Sequence, residues 1–147
     1  MTSMIDQSVA QVMTASVRTV TPETTACEIA QLFANHGIGS AVVVDPETAA
    51  VLGIVTESDV MKQVAAGADI GTVEVGTFLS ETVISVPSDT EIHEAARVMR
   101  EHSIQRLLVM DDGQLSGMLT TSDLTDYIPR LRNTIRRNRS QAVRQRL

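Results

Sequence analysis

The chain has no tryptophan, one tyrosine and two phenylalanines, so aromatic residues fill only 2% of its 147 positions. Proteins that stack bases on aromatic rings need a supply of such side chains, and this one has too few for that platform. Its core must be aliphatic. A single cysteine, Cys27, excludes an internal disulfide. It falls beside Ala26, Ile29, Ala30 and Phe33, a pattern that reads as one helix face, so a buried, inert thiol is expected there. No apolar run approaches the ~18 to 20 residues that a membrane span requires, and no charged and apolar leader opens the chain. One soluble, cytoplasmic domain with an ample core is the expectation from length and 43% hydrophobic content.

Lysine is scarce too, a single Lys62 against eleven arginines, and the arginines are unevenly placed. Residues 1–126 hold all 18 acids against five basic side chains, a net charge of −13, whereas residues 127–147 hold seven arginines and no acid. The C-terminal segment, 129–147, is therefore a separate electrostatic object. Ile128, Leu131 and Ile135 recur at helical spacing among its arginines, so it reads as an amphipathic helix or a frayed arm. Such an arm can lie on the acidic body or a dimer mate, or can contact nucleic acid or an anionic surface through phosphates.

An internal repeat organises the rest. Val17 to Asp45 lies over Val83 to Asp111 at a constant offset of 66, with Val17, Val20, Thr24, Ala30, His36, Ile38, Val43 and Asp45 recurring as Val83, Val86, Thr90, Ala96, His102, Ile104, Val109 and Asp111. After a two-residue contraction, Gly53 to Asp59 lies over Gly117 to Asp123. The units are placed at 8–66 and 72–128. Each begins with a short alternating run, Val17 to Val20 or Val83 to Val86, that reads as a strand. A helix follows, about Thr25 to His36 ended by Gly37, or about Glu91 to His102, burying Ile29, Ala30 and Phe33 or Ile92, Ala95, Ala96 and Met99. The runs Ser40 to Val44 and Arg106 to Met110 read as buried strands. Turn signals at Asp45-Pro46 and Asp111-Asp112-Gly113 lead to third strands, Val51 to Val55 and Leu115 to Leu119, and second helices begin near Ser58 and Ser122. The fold class is α/β (α+β), two tandem β-α-β-β-α units.

Both units carry a glycine, two apolar residues, a threonine, two variable residues and an aspartate: Gly53-Ile54-Val55-Thr56-Glu57-Ser58-Asp59 and Gly117-Met118-Leu119-Thr120-Thr121-Ser122-Asp123. This sets a hydroxyl, an acid and helix N-terminal amides where a strand gives way to a helix. Such amides favour phosphate oxygens, and a carboxylate there can accept two hydrogen bonds from a ribose diol. The same residues could instead be a strand end and a helix cap. Recurrence in two diverged repeats favours the nucleotide.

The repeat, the element order and this doubled signature resemble the cystathionine-beta-synthase (CBS) family in its tandem-pair form, over about residues 8 to 128. The resemblance implies two motifs related by a pseudo-two-fold axis, with small sheets packed together and helices outside, and adenine ligands held in clefts between motifs. One cleft would combine Thr56, Ser58 and Asp59 with Thr82, Val83, Ile84, Ile104, Gln105 and Arg106. The other would combine Thr120, Ser122 and Asp123 with Ser16, Val17, Arg18, Ile38, Gly39 and Ser40. Aspartate would hold the ribose, threonine the phosphate, and aliphatic side chains the purine. Arg106 would add a charge-assisted phosphate contact that Ser40, its counterpart, does not supply. Val42 and Leu108 stand where the family often has proline. The implied ligand is AMP, ADP or ATP, with S-adenosylmethionine or NAD as further adenine-containing possibilities, and no cofactor is required. A homodimer and a separate effector protein are the implied partners. A ligand-free dimerisation module and a nucleic-acid-associated protein working through the arginine tail are the competing readings.

No residue constellation for catalysis is visible, and Ser58 and Ser122 follow no nucleophile pattern. His36 and His102 occupy equivalent helix ends, where the dipole favours them, and neither they nor His93 form a metal cluster. Asp45, Asp111 and Asp112 read as turn residues, and Met61, Met99, Met110 and Met118 as core filler.

Overall fold

The computed structural model describes residues 7–81 and 83–127. Thr82 and the arginine-rich segment therefore lie outside the described residues. The chain divides into two units whose make-up departs from sequence order. One comprises Ser16–Ile84 with Gly113–Leu115, and the other unites the described part of Met1–Ala15 with Ser85–Asp112 and residues from Ser116 onward.

In the first of these, β1 (Thr19–Val20) pairs parallel with β2 (Ser40–Val44), and β2 pairs antiparallel with β3 (Val51–Thr56). The edge strand is shorter than the alternation of Val17 to Val20 suggests, because its ladder is only Thr19 to Val42 and Val20 to Val43. Helix α1 (Ala26–His36) starts on a capping box, in which Thr25 Oγ1 accepts from the Glu28 amide and Glu28 accepts from the Thr25 amide. It stops at Gly37, whose φ of 62° is a left-handed conformation that costs glycine little. Helix α2 (Glu57–Ala65) follows β3 directly. Ile29, Phe33, Ala41, Val43, Val55, Val60 and Val75 form one buried cluster, with Phe78 and Leu79 packed against it.

The second unit repeats the plan with β4 (Ser85–Val86), α3 (Ile92–Glu101), β5 (Arg106–Asp111), β6 (Gln114–Thr120) and α4 (Thr121–Tyr127), in the sheet order β4-β5-β6. Its β5–β6 turn has consecutive positive φ values at Asp112 and Gly113, 51° and 76°, as a primed hairpin turn requires. Ile92, Ala95, Met99, Leu107, Val109 and Leu119 are buried there, together with Val9 from the N-terminal segment.

The expected β-α-β-β-α order is present in both units. Four residues differ from expectation. Cys27 is half-buried, because Ala26, Ile29 and Phe33 carry the buried stripe and Cys27 lies to its side. Ala30 and Ala96 are likewise half-buried. Met61 is not core filler: at 67% exposure it stands on the outer side of α2, one position past buried Val60.

Asp45 behaves as the turn residue anticipated, accepting from the Glu47 and Thr48 amides. Asp111 does not spend its carboxylate on the turn. It accepts from the Ser88 amide at 3.0 Å and from Ser116 Oγ at 2.5 Å, tying β6 to the segment after β4. The Ser116 hydroxyl first, and then the Ser88 amide, hold the Asp111 carboxyl below the usual carboxylate range. A folded-state pKa below the unfolded one contributes stability that is complete above about pH 4 and is lost as pH falls through the folded value. Asp111→Asn should therefore lower Tm at neutral pH. It should also make the decline in Tm below about pH 4 shallower than in the parent, as thermal scans across that range would record.

Candidate functional site

The junction of β3 and α2 is built by Thr56 and Asp59. Thr56 is the N-cap of α2: its backbone N–H and Oγ1–H donate to Asp59 Oδ2 at 2.9 and 3.0 Å, and its Oγ1 accepts from the Asp59 amide at 3.3 Å. The junction of β6 and α4 repeats this, with Thr120 N–H donating to Asp123 Oδ2 at 3.0 Å and the Asp123 amide donating to Thr120 Oγ1 at 3.1 Å. In each case aspartate replaces the longer glutamate of the usual capping box, which draws the carboxylate close to the backbone. Both pairs are therefore helix caps, the structural role that the sequence left open. The cap uses one carboxylate oxygen. Among the described residues, Oδ1 of Asp59 and of Asp123 has no hydrogen-bond partner, so each aspartate keeps an acceptor for a ligand hydroxyl.

The first amide of each helix is satisfied by the start of the same motif's middle strand: Glu57 N–H donates to Gly39 O at 3.0 Å and Thr121 N–H to Gln105 O at 3.1 Å. The structure thus gathers Thr56, Ser58 and Asp59 with Gly39 and Ser40 in one unit, and Thr120, Ser122 and Asp123 with Gln105 and Arg106 in the other. Ile38 precedes β2 and Ile104 precedes β5, both half-buried. Val17 and Arg18 lead into β1, where Arg18 O accepts from Val42 N–H and the Arg18 guanidinium donates to His36 Nδ1 at 3.2 Å. Ser16 is exposed just before them, and Val83 and Ile84 lead into β4, half-buried. Asp59 and Arg106 belong to different units. Ser58 and Ser122 are exposed at the first turns of their helices, where unpaired amides and the helix dipole favour anions.

Sequence reasoning gave the motif glycines no task, and the structure supplies one. Ile54 exchanges backbone hydrogen bonds with Ser80 at 3.0 and 2.9 Å, and Met118 does the same with Thr14 at 2.9 and 3.0 Å. These bridges press the approaching segment onto Gly53 or Gly117, where a Cβ would collide with the Ser80 carbonyl or lie 2.7 Å from that of Thr14. The signal was present in the sequence, since residues 9, 13 and 14 and residues 75, 79 and 80 stand 66 apart, but Val9/Val75 is the only identical pair among them.

A CBS domain family model matches residues 9–66 and again 75–130, most of the chain. The chain belongs to the CBS domain family. An uncharacterized protein of Methanopyrus kandleri is 40% identical over 130 residues, 87% of this chain, which spans 66% of that relative's length. A crystal structure of an uncharacterized conserved protein from Pyrococcus horikoshii superposes with a TM-score of 0.77 at 27% identity, covering 84% of this chain and 92% of that one. A CBS domain protein of Pyrobaculum aerophilum complexed with AMP matches with a TM-score of 0.73, covering 80% of this chain and 89% of that one. At 24% identity, that last likeness shows the fold. The tandem repeat read from the sequence is thus a pair of CBS motifs, each with its own three-stranded sheet. Among the described residues no helix is long and apolar enough to cross a membrane, and no cluster of three metal-ligating side chains occurs.

Proposed function

We propose that this CBS pair is a non-catalytic sensor module that binds an adenine nucleotide between its two motifs. The observation that carries the reading is the duplicated Thr–Asp cap, in which each aspartate spends one oxygen on its helix and keeps the other. A ribose diol satisfies that spare oxygen, the nearby helix amides suit a phosphate, and aliphatic side chains such as Val83, Ile84 and Ile104 serve the purine. The AMP in the Pyrobaculum aerophilum protein supports the ligand class. The motif of Asp59 would share its ligand with Arg106, a cation with no counterpart at Ser40, so the two sites differ in affinity. Binding that requires both motifs favours the arrangement in which they are closed on the ligand, which is how such a module would signal to a separate cytoplasmic effector.

The module works as a homodimer in this reading. Met61 and Val64, 67% and 51% exposed, stand on α2 beside a groove lined by Ala30, Phe33, Ala34 and Val60, an apolar face suited to a second copy. The test of ligand binding is a thermal-shift series with AMP, ADP, ATP, S-adenosylmethionine and NAD at fixed salt. A ligand at about 100 times its Kd stabilises the folded state by about 2.7 kcal/mol, so at least one of the five should raise Tm by several degrees. No shift with any of them at millimolar concentration would mean a ligand-free structural module.

A further inference from the structure

The arginine-rich segment has no place in the nucleotide reading, and the α1–α2 groove has no cover among the described residues. We propose that residues 128–147 act as the electrostatic strap of the homodimer, their arginines lying against the acidic surface of a second copy at the border of its α1–α2 groove. This rests on the dimer reading given above. Three observations carry it. Glu57 lines the groove together with the apolar side chains, is exposed, and has no ion-pair partner among the described residues. The segment brings seven arginines without an acid, together with Ile128, Leu131 and Ile135 at a spacing that puts apolar groups on one side. Residues 1–126 carry a net charge of −13, so two copies meeting through an apolar face repel one another unless positive charge comes between them.

The same charge argues against a nucleic acid as the occupant, because a polyanion drawn to the arginines would also be drawn towards a body of its own sign. A second copy offers the opposite: carboxylates for the arginines and apolar surface for Leu131 and Ile135. A strap of this kind neutralises both bodies at once.

The sign of the salt dependence decides the matter. Dimer dissociation constants of the full chain would be measured by sedimentation equilibrium at about 50 and about 500 mM salt, where screening differs strongly. The parent dimer should weaken on going to high salt. The variant Arg136→Gln/Arg137→Gln/Arg139→Gln should dissociate about tenfold more readily at low salt, and its dimer should strengthen with salt because only repulsion is left to screen. Glu57→Gln should reproduce part of the loss, and circular dichroism should be unchanged in all variants. A parent dimer strengthened by salt, or a triple variant identical to it, would overturn the strap and leave the dimer standing. A monomer at every concentration would overturn both. A triple variant with an unaltered dimer that loses the parent's retention of a labelled single-stranded oligonucleotide would make the segment a polyanion arm instead.

Discussion

Replacing Gly53 by alanine should destabilise the protein by about 2 to 3 kcal/mol, a drop in Tm of about 10 °C, although alanine is ordinarily no worse than glycine in a strand. The added Cβ would meet the Ser80 carbonyl and Leu79 Cδ1, and Ser80 is held to Ile54 by two backbone hydrogen bonds. The methyl group cannot be accommodated by a rotamer change, because its nearest obstacle is backbone. Gly117→Ala meets Thr14 O and the flexible Met13 side chain, both at 2.7 Å, so the second motif should lose somewhat less. Gly37→Ala is the control. It has open space around the position and only the left-handed φ of 62° to sustain, so about 1 kcal/mol is expected. Urea unfolding of the three variants checks the order, and equal losses at Gly53 and Gly37 would mean that Ser80 yields.

Asp59→Asn should lower affinity for an adenine nucleotide about tenfold or more while changing Tm by little. An asparagine side-chain oxygen can still accept from the Thr56 amide, so most of the cap survives; losing a cap outright costs about 0.5 to 2 kcal/mol. The amide cannot offer a second anionic acceptor to a diol, and hydrogen bonds to a charged group are worth about 1.5 to 3 kcal/mol each. Calorimetry with AMP and adenosine would separate the parts of the site. Asp59→Asn should weaken both ligands, Arg106→Ala should weaken AMP more than adenosine, and Asp123→Asn should remove mainly a weaker event. Equal losses of AMP and adenosine in Arg106→Ala would take the arginine off the phosphate. Loss of the tighter event in Asp123→Asn would reverse the ranking of the two sites.

The elements that periodicity reveals were legible from the sequence. The β2 run was given from Ser40 to Val44 as observed, because five consecutive apolar or small residues between a helix stop and an Asp-Pro turn leave little freedom. Thr56 and Asp59 were legible as a pair but not in their division of labour, since a strand end, a cap and a ligand contact share one pattern. Met61 was misjudged because a methionine next to a buried valine on a short helix has no period long enough to place it. The bridges onto Gly53 and Gly117 were illegible for a different reason. They join segments remote in sequence, and the segments that approach have diverged to Met13-Thr14 and Leu79-Ser80.

Those bridges also separate the unit of duplication from the unit of folding. The residues leading into the first repeat, from Gln7 to Thr14, make their backbone hydrogen bonds with Thr90, Ser88, Ile92 and Met118, while those leading into the second, Val73 to Ser80, make theirs with Ala26, Thr24, Pro22 and Ile54. Each repeat is finished by the prelude of its sibling. A gene carrying one copy would encode a chain whose leader had only its own sheet to join. Once such a protein doubled, the exchange of leaders made the two copies mutually dependent, and loss of either would leave the other with an open edge at its motif glycine.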